Sequence, residues 1–242
     1  MDIAIVYFGL TRSIKKVYQS HIRHIYQVLD RNQITYKKFI HTWSMKDGIQ
    51  NIADQILPQR IDYEEYKLLS PDIYKIDSEE EFISSINMDH YFYKDVWNEK
   101  GHCMEGEWIP KMVSNHVCML ESQKRATTML EEYIQQTGHT PKCILFIRPD
   151  IECYNDFPLD CTILHNNIIN LPDHSHHEGL NDQVALIHYD FLEHYGKRIN
   201  ELAEFRKYNG RIVGEKYIKF IIKKYNQNVH MIPFQYSIIR PS

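Results

Sequence analysis

"CILFIRPDIECYND", residues 143–156, changes character in mid-course. Cys143–Ile147 is an apolar run without alternation, the pattern of a strand covered on both faces, as in the centre of an α/β sheet. Arg148, Asp150 and Glu152 follow at once. Open α/β sheets bind ligands beyond the carboxyl ends of their strands, so these charges mark where a site belongs. Two carboxylates in D-x-E spacing within a turn can converge on a hard cation such as Mg²⁺ or Mn²⁺, which keeps positions open for phosphate oxygens. The neighbouring Arg148 can take a phosphate oxygen or simply neutralise Asp150 in a polar turn. Spacing alone leaves both readings open, because such triplets are common by accident.

The rest of the chain supplies the sheet around this strand. "DIAIVYFGL" (2–10) reads as a buried first strand ending at Gly9, and Thr11 or Ser13 can cap the helix that follows. "ITYKKFIHTW" (34–43) reads as a second strand, so the opening β-α-β spacing favours parallel pairing. Residues 44–60 read as loop. A helix at 62–69, a strand at 72–76 and a helix at 78–86 follow, the last opened by a capping box of Ser78 and Glu81. Residues 87–107 are aromatic-rich and aperiodic, an ordered excursion rather than a linker. Pro110 to about Gln136 gives the longest helical pattern, with Gly138 just beyond it. Short β segments are expected at 161–165 and 168–171, and helices at about 182–195, 197–206 and 214–225. A β-type "VHMIPFQYSIIR" (229–240) closes the pattern. The expectation is a single domain over 1–242, with a mixed, mostly parallel sheet flanked by helices.

Composition narrows the partners. The 242 residues are 43% hydrophobic and 25% charged, with a formal net charge of -4. No global basic field argues for nucleic acid, so any phosphate site must be local. No apolar stretch approaches a membrane span and no signal segment is evident. The five cysteines form no CxxC pair and read as reduced thiols, which suggests the cytoplasm.

Three further features bear on chemistry. On a helical wheel Lys124 falls about 20° from Val113, inside the apolar face of Val113, Val117 and Leu120. A lysine there must be paired, face a polar cavity or snorkel to an edge. "HSHHEGLNDQVAL" (174–186) holds His174, His176, His177 and Glu178, which could bind a transition metal but sit in a loop unlike an HExxH helix. Asp182 within it reads either as the cap of the next helix or as a general base. "GLTRS" (9–13) and "HTW" (41–43) end strands on the same sheet edge as Asp150. Neither they nor any other segment forms a GxGxxG or GxxxxGK[ST] motif.

In order along the chain, "IAIVYFGLTRS", "ITYKKFIHTW", "HVCMLESQKRAT", "FIRPDIE", "GLNDQVAL" and "VHMIPFQYSIIRPS" resemble a group of glycosyltransferase-like proteins of large DNA viruses and surface-polysaccharide clusters. The resemblance implies a GT-A-type fold that binds a nucleotide-diphosphate sugar and transfers the sugar to a glycan or glycoprotein acceptor. It also implies host cytoplasm as the setting for a viral member. By that resemblance "RPDIE" takes the D-x-D position, with Asp150 near the ribose or a Mn²⁺ or Mg²⁺ ion and Glu152 on the metal. Arg12, Thr42 and Arg148 are then expected to line the nucleotide pocket, Lys124 to face the diphosphate or donor sugar, and Asp182 to be the acceptor-side base. Direct displacement with inversion is the simplest stereochemical outcome. A nuclease is disfavoured because no (D/E)-x-K triplet follows Asp150. The remaining alternative is a nucleotide-sugar-binding or interaction protein of the same fold without turnover.

Overall fold

Odd and even positions of the two central strands go to different cores. Ala4, Val6 and Phe8 join Ile144 and Phe146 in one buried cluster, whereas Ile3, Ile5 and Tyr7 join Cys143, Leu145 and Ile147 in another. A strand whose two faces both meet apolar partners has no polar face to alternate, which is why "CILFI" reads as an unbroken run.

A computed structural model describes residues 1–45, 49–51, 56–59, 62–91, 110–209 and 212–240. Its first part comprises β1 (Ile3–Phe8), α1 (Ile14–His21), a π-helical turn (Ile22–Tyr26), α2 (Gln27–Arg31), β2 (Tyr36–Ser44) and a two-stranded antiparallel pair, β3 (Ile49–Asn51) and β4 (Ile56–Gln59). Then come β5 (Ile73–Ser78), α3 (Glu79–Ser85), the long α4 (Pro110–Thr137), β6 (Cys143–Ile147) and β7 (Ile151–Cys153). The last part holds β8 (Ile168–Pro172), β9 (Val184–His188), α5 (Leu192–Gly196), α6 (Leu202–Asn209), α7 (Gly214–Lys224), β10 (Asn228–Ile232) and β11 (Tyr236–Ile238).

The main sheet has seven strands in the order β10-β8-β9-β6-β1-β2-β5. The pairs β1/β2, β1/β6, β2/β5 and β8/β10 are parallel, and β9 runs antiparallel between β6 and β8. This is the mixed, mostly parallel α/β sheet flanked by helices that the sequence implies. α4 covers one face through Val113, Val117, Leu120 and Leu130, and the α1–α2 segment covers the other through Ile14, Ile25 and Leu29. β1 sends the chain outward to β2 on one side and abuts β6 on the other. The carboxyl ends of β1 and β6 therefore flank a topological switch point, where such sheets open a crevice.

Several local expectations are met. Ser78 caps α3 by accepting a hydrogen bond from the Glu81 amide at 3.2 Å. Others are corrected. Ser13 precedes α1 in a left-handed conformation (φ 61) without a side-chain cap bond, and Thr11 is bonded to Thr42 instead. The 62–69 helix is a 3-10 turn over Glu65–Leu69, and 161–165 is loop after a 3-10 turn at Leu159–Cys161. Residues 44–60 include the β3/β4 pair, and the 197–206 helix is a 3-10 turn (Arg198–Glu201) followed by α6.

The largest correction is at 182–195, where the expected helix is strand β9, a 3-10 turn and α5. Val184, Leu186 and Ile187 fit both periods, and a short apolar run does not distinguish a buried strand from a buried helix. Of the aromatic excursion, residues 92–107 lie outside those described. Tyr91 packs partly buried against the α4 side of the sheet.

Candidate active site

Three segments meet at the switch point. After β1, Gly9 takes a positive φ of 95° and turns the chain toward α4, where its amide donates to Ser122 Oγ at 2.7 Å. The Thr11 amide donates to Thr42 Oγ1 at 3.0 Å, which ties this turn to the end of β2. Arg12 is thereby held over the end of β6. There Arg148 Nε and Nη2 donate to Asp150 Oδ1 and Oδ2 at 2.9 and 2.7 Å, and Arg12 Nε donates to Oδ2 at 3.1 Å. Asp150 is 1% exposed. Burial opposes its ionisation, but the two guanidinium groups outweigh burial and hold the carboxyl below its ordinary value.

The third segment is the start of β9. Because β9 is antiparallel, Val184 pairs with Ile147 and the Arg148 amide donates to the Gln183 carbonyl at 3.1 Å. This register brings Asp182 beside Arg148. Buried Asn181 fixes the turn, accepting from the Gln183 and Val184 amides at 3.0 and 3.1 Å and donating to the His174 carbonyl and the Tyr236 hydroxyl. β11 closes the floor by pairing with β7, and the Ile239 amide donates to the Asp150 carbonyl at 2.8 Å.

The result is a cleft of about 940 Å³ lined by Arg12, Arg148, Asp150, Asp182, His116 and Glu215, among others. Asp182 is buried, and burial raises its pKa against the opposing pull of Arg148 and Arg198. Glu215, at the first turn of α7, is also raised, first by burial and then by Asp182. His116 is buried beside Tyr217 and is pushed down to about 3 by burial and by Arg198 and Arg148, so it faces the cleft as a neutral imidazole. The cleft thus has a cationic side at Arg12 and Arg148, and a carboxylate of raised pKa at Asp182.

The residues expected from the sequence divide accordingly. Arg12, Arg148, Asp150 and Asp182 come together. Thr42 does not line the cleft; it is fully buried and serves the Thr11 turn. Lys124 points elsewhere, donating to Asn200 Oδ1 at 3.1 Å. The reason is that α4 is covered on a second flank, where Gln123 donates to the Tyr195 carbonyl and Gly196 packs on Thr127, so a wheel with one core face misplaces Lys124. Glu152 lies mid-strand in β7 between buried Ile151 and Cys153, faces away from them and does not line the cleft.

These positions decide the fit of a divalent cation. Both Asp150 oxygens are occupied by guanidinium groups, and Glu152 is not directed to the same point, so the D-x-E pair does not form a cation cradle in this arrangement. Among the described residues, no group of three or more His, Cys, Asp or Glu side chains could hold a metal ion. The histidine loop is likewise dispersed: His174 Nε2 donates to the Phe234 carbonyl, His176 Nδ1 accepts from the Asn181 amide, and His177 is solvent-exposed near Glu215.

Sequence reasoning missed His116 and Glu215. His116 is one position from Val117 on α4, a signal the wheel contained. Glu215 lines the cleft from the first turn of α7, where the 176–181 loop packs closely: the Leu180 amide donates to the Glu215 carbonyl, and a Cβ on Gly179 would come 2.0 Å from that backbone.

No family model and no curated protein matches the chain. Among solved structures, it is similar to a glycosyltransferase involved in glycosylation of the major capsid of PBCV-1, at 11% identity and TM-score 0.41, covering 96% of this chain and 83% of that one. The galactosyltransferase LgtC, in complex with donor and acceptor sugar analogs, gives 13% identity and TM-score 0.39 over 93% and 69% of the two chains. Mouse xyloside xylosyltransferase 1 gives 10% and 0.39 over 96% and 84%. At such identities and scores these likenesses carry no argument about activity or residue roles. Among the described residues, no helix is long and apolar enough to cross a membrane.

Proposed function

We propose that this cleft transfers a sugar from a nucleotide-diphosphate sugar to a hydroxyl of a glycan or glycoprotein, on a GT-A-type fold. The observation that carries the reading is the Arg12–Arg148 pair and the buried Asp182 carboxylate lining one cleft at the β1/β6 switch point. Glycosyl transfer needs both. Negative charge develops on the departing diphosphate, where fixed guanidinium groups stabilise it. The acceptor hydroxyl must lose a proton, and a carboxylate with a raised pKa is a better base than an ordinary one.

In this reading the acceptor oxygen bonds to the anomeric carbon as the bond from that carbon to the diphosphate oxygen breaks. The electron pair leaves with the nucleoside diphosphate, and the hydroxyl proton passes to Asp182. Direct displacement of this kind inverts the anomeric centre. No step here runs through a divalent cation.

The test is release of nucleoside diphosphate from a panel of nucleotide sugars with glycan acceptors, for the wild type and Asp182→Asn. The variant should lose about a hundredfold or more in kcat, the contribution of a general base, while donor binding stays intact. Equal rates in both would remove Asp182 from the chemistry. Donor binding without turnover of any nucleotide sugar would favour the non-catalytic alternative.

A further inference from the structure

The disagreement between the D-x-E spacing and the geometry has its own consequence, one that rests on the glycosyl-transfer reading. We infer that the donor's diphosphate is held by the Arg12–Arg148 pair without a divalent cation, with Asp150 acting as the anchor that orients both guanidinium groups.

The contacts assign these parts. Asp150 is all but inaccessible, and its two oxygens receive three charge-assisted hydrogen bonds, two from Arg148 and one from Arg12. A cation ligated by Asp150 would have to displace those donors and then sit beside two guanidinium charges in a poorly solvated wall, with repulsion at each step. The arginines, by contrast, keep donor capacity. Among the described residues, Arg148 spends Nε and Nη2 on Asp150, while its Nη1 meets the Met119 sulfur at 3.9 Å, a weak acceptor. Among the described residues, Arg12 spends Nε on Asp150. Both side chains retain some exposure, 17% and 20%, and both line the cleft.

Two guanidinium groups fixed on one carboxylate leave a single net positive charge, with the remaining N–H donors directed by a rigid fork that matches phosphate oxygens. Their position beyond the carboxyl ends of β1 and β6 is where an open α/β sheet receives its ligand. Asp150 is thus a positioning residue and Arg12 a binding residue. Arg148 combines both roles, since it continues the ladder to β9 through its amide.

The experiment is calorimetric titration of the full chain with inorganic pyrophosphate and with uridine, guanosine, cytidine, adenosine and thymidine diphosphates, each in excess EDTA and again in Mn²⁺. Variants are Arg12→Gln and Asp150→Asn, with thermal unfolding to verify that each is folded. At least one nucleoside diphosphate should bind in EDTA with an affinity within a few-fold of that in Mn²⁺. Arg12→Gln should weaken it about tenfold to a hundredfold, the value of a charged hydrogen bond. Asp150→Asn, which keeps both arginines but removes the acceptor that orients them, should weaken binding by the same factor in EDTA and in Mn²⁺. Binding that appears only with Mn²⁺ and vanishes in Asp150→Asn would overturn the inference and leave the transferase reading standing. Absence of binding by every probe in both conditions would overturn both.

Discussion

Little room surrounds the Asp182 carboxylate. A Cβ on Gly214 would lie 2.3 Å from Asp182 Oδ2 and 3.1 Å from His116 Cε1, so glycine at 214 is the condition for the carboxylate and the neutral imidazole to share the wall of the cleft. Gly214→Ala should therefore displace the carboxylate while leaving the Arg12–Arg148 side untouched. Misplacement of a reacting group by about 1 Å costs roughly a hundredfold in rate, so kcat should fall on that order with donor affinity unchanged. Steady-state kinetics beside direct binding would check this; a parallel loss of donor affinity would mean that Gly214 serves the donor side instead.

At the element scale β9 decides the site. Its antiparallel insertion beside β6 carries Asp182 to Arg148, and buried Asn181 holds the entry through four side-chain hydrogen bonds. Asn181→Ala would leave several of those partners unpaired at about 1–3 kcal/mol each, so a loss on the order of 3 kcal/mol in urea unfolding is expected. An unchanged midpoint would show that the turn forms without it. β6 was legible from "CILFI", and so was the arginine that follows, because an unalternating run followed by charge has few other meanings in an α/β chain. The Arg148–Asp150 neutralisation was also one of the two readings the spacing allowed. β9 was not legible, since "VALI" satisfies helix and strand periods alike and only its long-range partners choose. Lys124 failed for a related reason: a wheel assumes one covered face, whereas α4 is covered by the sheet and also by the 192–201 segment.

At the scale of the whole molecule, two cores on either side of one sheet bury ionisable groups in quantity. His21 and His41 are pushed down to about 4 and His116 to about 3, each chiefly by burial, from an ordinary value of 6.5. A histidine whose folded pKa is depressed contributes stability above its unfolded value and loses it as pH falls toward the folded value. Asp150, also depressed, adds a loss below its ordinary 3.8. Asp182 and Glu215 are raised and act in the opposite sense, partly offsetting the histidines. Thermal unfolding should therefore move to lower temperature as pH is taken from about 6.5 to about 4; a flat profile would contradict the buried neutral histidines. In the cleft the Arg12–Arg148 pair is joined by a carboxylate whose pKa burial raises, and these groups are proposed to perform glycosyl transfer. The most direct measurement is release of nucleoside diphosphate from a panel of nucleotide sugars by the wild type and by Asp182→Asn, with donor binding followed in parallel. The expected result is turnover of at least one donor, reduced about a hundredfold or more in the variant with binding retained. Equal turnover by the two proteins, or turnover of no donor by the wild type, would contradict it.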